Sequence, residues 1–221
     1  MSEPSRPTIS RSRIEDLSDL IFGLALSIGA IELVVSTSYG TLTNGQIEFA
    51  VAGFGFNFLI LINLWSHYTS IASVVPIQTE LMRRINVLLL FLVAIEPYFF
   101  NILINSSSAS ITQNVSAYYA LDIGCMNLIL GYFTHQLTIE DKKLIPKELI
   151  QKYRRSRNFT IAEGVLFLVS AVPIFWNVEF LGTELRVILW IFSFPLGWTS
   201  RLSERLGKSA SDKVKESKDD K

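Results

Sequence analysis

Six stretches of mostly apolar residues run through the chain, separated by polar segments. They cover about Leu17–Val35, Phe49–Ile71, Ile85–Ile104, Ser116–His135, Phe159–Trp176 and Leu185–Leu202. Each is near the ~20 residues that a helix needs to cross ~30 Å of hydrocarbon. They are too long and too continuously apolar for the strands of a membrane barrel, which alternate over about ten residues. From Ala50 to Thr79 there is no charged residue at all. The pattern predicts an all-α, polytopic membrane protein with six transmembrane helices per subunit. Pro173 and Pro195 interrupt the last two spans, as helix bundles tolerate. Residues Met1–Asp16 are polar and carry both charge signs. The run after them is longer than a signal-peptide core and has no small-residue cleavage site, so it is expected to stay as the first span.

Charge placement sets an orientation. Arg6, Arg11 and Arg13 precede span one, and Arg83 and Arg84 lie between spans two and three. Seven basic residues from Lys142 to Arg157 lie between spans four and five, and seven from Arg201 to Lys221 lie at or beyond the end of span six. Of the 20 Lys and Arg, only Arg186 falls elsewhere. The opposite loops, Ser36–Gln46, Asn105–Asn114 and Asn177–Glu184, contain no Lys or Arg. The positive-inside rule then puts both termini in the cytoplasm of a multi-pass cell-membrane protein. The domain division that follows is a cytoplasmic segment 1–16, a six-helix transmembrane domain 17–205, and a mixed-charge tail 206–221 expected to be disordered. Residues 105–116, rich in Ser and Asn, read as a loop. Glu140–Arg157 reads as a cytoplasmic connecting helix, with Leu144, Ile145, Leu149, Ile150 and Tyr153 on one side. It either packs on the bundle or lies on the lipid surface.

Composition removes other classes. Hydrophobic residues make up 49% of the 221 and charged residues 18%, which excludes a disordered chain. Net charge is zero and no basic stripe is interleaved with aromatics, which disfavours nucleic acid as a partner. The single Cys125 excludes a disulfide-stapled domain. His67 and His135 lie far apart, without metal-ligand spacing, and no nucleophile elbow, phosphate loop or dinucleotide fingerprint is present. An enzyme, a metal site and a cofactor are therefore not expected. Permeation or scaffolding is what remains. Thr37-Ser38-Tyr39-Gly40 lacks the central glycine of a carbonyl selectivity filter and reads as a turn.

Span one is unusual. Gly23, Ala25, Ser27, Gly29 and Ala30 make it rich in small residues, which permit close helix contact and suit a central position in an assembly. Asp19 and Glu32 sit near its two ends. Asp19 is placed to pair with Arg13; capping of the helix N-terminus by Ser18 or Asp19 fits the spacing equally well.

Arg13, Leu17-Ser18-Asp19, Phe22-Gly23-Leu24-Ala25, Ser27-Ile28 and Ile31-Glu32-Leu33 together resemble the first-helix signature of the transmembrane protein 175 family of potassium channels. Trp65-Ser66-His67 is similar to that family's second-helix motif. Asn86-Val87-Leu88-Leu89-Leu90-Phe91, with Pro97 further on, is similar to its third. Leu17 stands where the family has Phe, Leu20 where it has Gly, and Ser27 where it has Thr. The resemblance covers roughly the first half of the chain.

The resemblance implies a six-helix subunit of the prokaryotic, single-repeat type, a homotetramer in the lipid bilayer with potassium as the permeant ion. It implies a constriction of apolar side chains from helix one, at Leu24, Ile28 and Ile31. These stand at i, i+4 and i+7 on one helix face, a spacing that ordinary helix packing also uses. Ser27 is implied to help solvate the ion. Glu32 is expected near the outer mouth, as a cation-concentrating ring or as a solvated interfacial acid. Arg13, Ser18, Asp19, Trp65 and His67 are implied to form a network holding helix one. Two alternatives stay open: an ion-coupled small-solute carrier using Glu32, Glu96 and Asp122, and a non-transporting membrane scaffold.

Overall fold

The computed structural model describes residues 11–38, 44–74, 79–106, 108–139, 145, 147–180 and 183–193. The described chain is all-α apart from one two-residue hairpin. Its elements are α1 (Arg11–Ser38), α2 (Asn44–Ala72), α3 (Glu80–Asn105), α4 (Ala109–Leu137), α5 (Lys147–Ser170) and a single turn α6 (Ile174–Asn177). Strands β1 (Glu179–Phe180) and β2 (Thr183–Glu184) follow, then α7 over 185–193. Residues 1–10 of the expected cytoplasmic segment 1–16, the expected tail 206–221, and the end of span six with Pro195 lie outside the described residues, while 11–16 already belong to α1.

The five long helices follow the first five apolar runs, with ends set by local chemistry. Thr79 caps α3, its hydroxyl accepting from the Met82 N–H at 3.3 Å, and Glu80 in the first turn pairs with Arg83 and Arg84. Acidic residues in that position complement the helix dipole.

Three boundaries differ from expectation. Most of the Ser/Asn-rich stretch 105–116 is helix, because α4 begins at Ala109. Its hydroxyls bond back along the helix, Thr112 to the Ser108 carbonyl at 3.0 Å and Ser116 to the Gln113 carbonyl at 2.8 Å, so polar residues are accommodated without breaking it. The connecting segment from Lys147 and the first part of span five are one continuous helix, α5, since Lys, Arg, Glu and Gln interrupt hydropathy but not helicity; it ends at Ser170, short of the expected Trp176, in a turn that contains Pro173. Ser18 and Asp19 do not cap α1, which starts a full two turns earlier at Arg11.

Helix α4 is the centre of the bundle. It packs most extensively on α5 and next on α3, while α1 lies against α3 and α2. Tyr119, Ile123, Met126 and Leu130 of α4 are fully enclosed, beside Leu89 and Val93 of α3, Leu61 of α2 and Phe167 of α5. The α4–α5 crossing depends on glycine. A Cβ on Gly124 would sit 3.0 Å from the Gly164 carbonyl and 2.8 Å from Leu168, and one on Gly164 would sit 3.0 Å from the Gly124 carbonyl. Two backbones approach this closely only where side chains are missing.

Among the described residues two helices, α2 from Gly45 to Ala72 and α3, are long and apolar enough to cross a membrane. Only 22% of the most apolar stretch of α2 and 33% of that of α3 lie buried in the subunit. Phe49, Phe58, Leu88 and Phe91 are among the large apolar side chains left outside. The core helix of a water-soluble protein would be mostly enclosed.

Candidate functional site

Helix α1 has two faces. Ser18, Phe22, Ala25 and Gly29 recur at i, i+4, i+7 and i+11 and are buried against the bundle, with Gly29 against the Phe54 ring. On the other side Leu17, Leu20, Leu24, Ser27 and Ile31 are exposed, at alternating spacings of three and four. Leu24 is 57% exposed and Ile31 61%. Ile28 sits between the faces, half-buried. So the resemblance-derived trio is divided: Leu24 and Ile31 share the uncovered face with Ser27, and Ile28 flanks it. Ser27 donates its hydroxyl proton to the Gly23 carbonyl at 2.8 Å. Its oxygen lone pairs remain as acceptors. Glu32 lies in α1, but its side chain is outside the described residues.

At the start of α1 the structure brings some of these residues together and separates others. Trp65 Nε1 donates to Asp19 Oδ1 at 2.9 Å. Ser18 donates to the Ile14 carbonyl at 2.7 Å or shares its proton with the Tyr68 hydroxyl, also 2.7 Å away. The Ser18–Tyr68 contact joins α1 to α2, and the buried Asn86 of α3 has its side-chain oxygen without a hydrogen-bond partner among the described residues. Arg13 is exposed, and among the described residues it forms no ion pair with Asp19. His67 turns the other way. Its Nε2 lies 3.4 Å from Thr134 of α4 and its Nδ1 3.4 Å from Thr160 of α5. Helical geometry explains the split: Trp65 and Tyr68, three apart, share the side facing α1, whereas His67, two residues from Trp65, points away from it.

A second polar group lies deeper. Tyr119 donates to Asn57 Oδ1 at 2.9 Å, and Asn57 Nδ2 reaches Glu96 Oε2 at 3.4 Å, joining α4, α2 and α3. Glu96 is wholly buried. Asp122, a turn beyond Tyr119, is 4% exposed, and neither of its carboxylate oxygens has a hydrogen-bond partner among the described residues.

Arg186, the one basic residue outside the cytoplasmic pattern, is 1% exposed. Its guanidinium spends every donor. Nε bonds the Ser170 carbonyl, one terminal nitrogen bonds the Gln113 carbonyl and Ser116 Oγ, and the other bonds the Ala171 and Val172 carbonyls. The Trp176 ring lies 5.7 Å away beneath it. Arg186 thus satisfies backbone carbonyls at the end of α5, where Pro173 stops the helix. Sequence reasoning missed this role. The signal was there: a cation stranded in an apolar run needs partners from the protein itself.

Cys125 is a half-buried free thiol in α4. Among the described residues no group of His, Cys, Asp or Glu is arranged to hold a metal. Compared with protein-family models, curated proteins and solved structures, the chain matches none.

Proposed function

We propose that this protein is a potassium-permeable cation channel of the cell membrane, with six spans, cytoplasmic termini and α1 lining a pore at the axis of a homotetramer. The observation that carries the reading is the uncovered face of α1. The subunit encloses Phe22 and Ala25 but leaves Leu24, Ser27 and Ile31 outside, on the helix that carries the resemblance to the transmembrane protein 175 family. The outward apolar surfaces of α2 and α3 support the bilayer as its surroundings.

In this mechanism four copies of Leu24 and Ile31, flanked by Ile28, form stacked apolar rings. Such rings control passage by width and by dewetting. A crossing ion sheds part of its hydration shell and regains few oxygens. Potassium holds its water less tightly than sodium and crosses at lower cost, so selectivity is modest. The Ser27 oxygen, its own proton committed to Gly23, faces the rings as an acceptor for a cation.

The test is reconstitution in planar bilayers with potassium on one side and sodium on the other. The wild type is expected to show a reversal potential favouring potassium, reduced by Leu24→Ala and Ile28→Asn. A folded, inserted protein that passes no current sinks the channel and leaves a carrier or a membrane scaffold. A carrier is favoured by one observation, the enclosed and unpartnered Asp122. It predicts saturable solute uptake driven by an ion gradient, abolished by Asp122→Asn.

A further inference from the structure

Helix α5 carries two separate basic surfaces. Arg157 turns toward the end of α4, where one terminal nitrogen lies 3.0 Å from His135 Nδ1 and 3.4 Å from the Thr138 hydroxyl. Ile150 and Tyr153 pack against the core on that inner side. The outer side is a shallow, open groove between side chains of this one helix, lined by Gln151, Arg154, Arg155, Asn158, Phe159 and Ala162. The groove floor is apolar and its rim is cationic. Arg155 stands over the Phe159 ring, 5.7 Å from its centre, and among the described residues no carboxylate pairs with it. The same helix face continues through Val165 and Val169, both nearly half exposed. One strip therefore passes, within five turns, from guanidinium groups to bare aliphatic surface.

We propose that this groove binds the headgroup of an anionic phospholipid, with the arginines on the phosphate and an acyl chain along Phe159, Ala162, Val165 and Val169. Charge complementarity selects the ligand. A guanidinium fork matches phosphate oxygens two at a time, and Gln151 and Asn158 supply neutral donors beside it. A soluble phosphate would use the rim and leave the apolar floor and the valine strip without purpose. The two roles open for this segment in the sequence are both filled, by opposite faces of one helix. The proposal rests on the reading of the second half of α5 as a membrane span.

The experiment is native mass spectrometry of the detergent-purified full chain, titrated with phosphatidylglycerol or phosphatidylcholine of the same chain length. The wild type is expected to retain phosphatidylglycerol preferentially, by about fivefold for each arginine. Arg154→Gln combined with Arg155→Gln is expected to abolish the preference with circular dichroism unchanged; if that pair unfolds the protein, Arg155→Gln alone is expected to halve the preference on a logarithmic scale. Arg83→Gln with Arg84→Gln is expected to keep it. Equal retention of both lipids overturns the proposal, as does equal loss in the Arg83/Arg84 variant or full displacement by inorganic phosphate. Flotation with pure phosphatidylcholine vesicles separates the two readings. A protein that does not float fails as a membrane span, whereas one that floats but shows no lipid preference fails only at this groove.

Discussion

Ser18 of α1 and Tyr68 of α2 meet hydroxyl to hydroxyl at 2.7 Å, both buried. The two partners are not equivalent. Ser18 keeps the Ile14 carbonyl if Tyr68 is lost, whereas the buried Tyr68 hydroxyl has no other hydrogen-bond partner among the described residues if Ser18 is lost. Ser18→Ala is therefore expected to cost about 1–3 kcal/mol and Tyr68→Phe about 1 kcal/mol. Denaturation of the detergent-solubilised protein, with the double variant completing the cycle, measures both; equal costs would contradict the asymmetry.

The two faces of α1 predict opposite responses to truncation. Phe22→Ala removes an enclosed ring and is expected to cost about 3–5 kcal/mol. Leu24→Ala, on the uncovered face, is expected to change subunit stability by less than about 0.5 kcal/mol. Thermal unfolding under conditions that keep the subunit monomeric compares them. A large loss in Leu24→Ala would mean that the subunit itself uses that side chain.

Arg186→Lys keeps a charge but has three donors where the structure uses five. At least two acceptors around the end of α5 lose their partner, each at about 1–3 kcal/mol. Amide hydrogen exchange over 171–175 is expected to rise more than exchange over the middle of α5. Unchanged exchange there would show that the cation is not what holds the turn.

Gly164→Ala places a methyl group against the Gly124 carbonyl and is expected to destabilise by about 1–3 kcal/mol. Gly55→Ala meets nothing within 4 Å and gains helix propensity, so it is expected to stabilise by up to about 1 kcal/mol. A melting temperature that rises for Gly164→Ala as well as for Gly55→Ala would show that the α4–α5 approach is looser than described.

Much of the fold is legible as apolar length. The runs at Phe49–Ile71 and Ile85–Ile104 lie within α2 and α3, and α3 continues through Pro97, as helices of a bundle tolerate. Legibility fails where hydropathy and helicity part company. The charged start of α5 and the Ser/Asn-rich start of α4 are helical because propensity and back-bonding hydroxyls suffice where apolar content does not. At the site, Asp19 and Trp65 are joined as the motif resemblance suggests, but His67 is not, and a helical wheel of α2 would have separated it. Tyr68, Asn57 and Tyr119 escaped notice because a single buried hydroxyl or amide has no sequence pattern. Only the neighbouring helix makes it a partner.

The turn after α5 also bears on the order in which the molecule is completed. Its carbonyls at Ser170 and Ala171 look to a side chain some fifteen residues further along, and Arg186 simultaneously reaches back to α4 at Gln113 and Ser116. During synthesis, α4 and α5 emerge with that seat empty. The arriving arginine acts as a latch thrown from the far end of the chain, so a polypeptide cut short before it has its helices but not its closure.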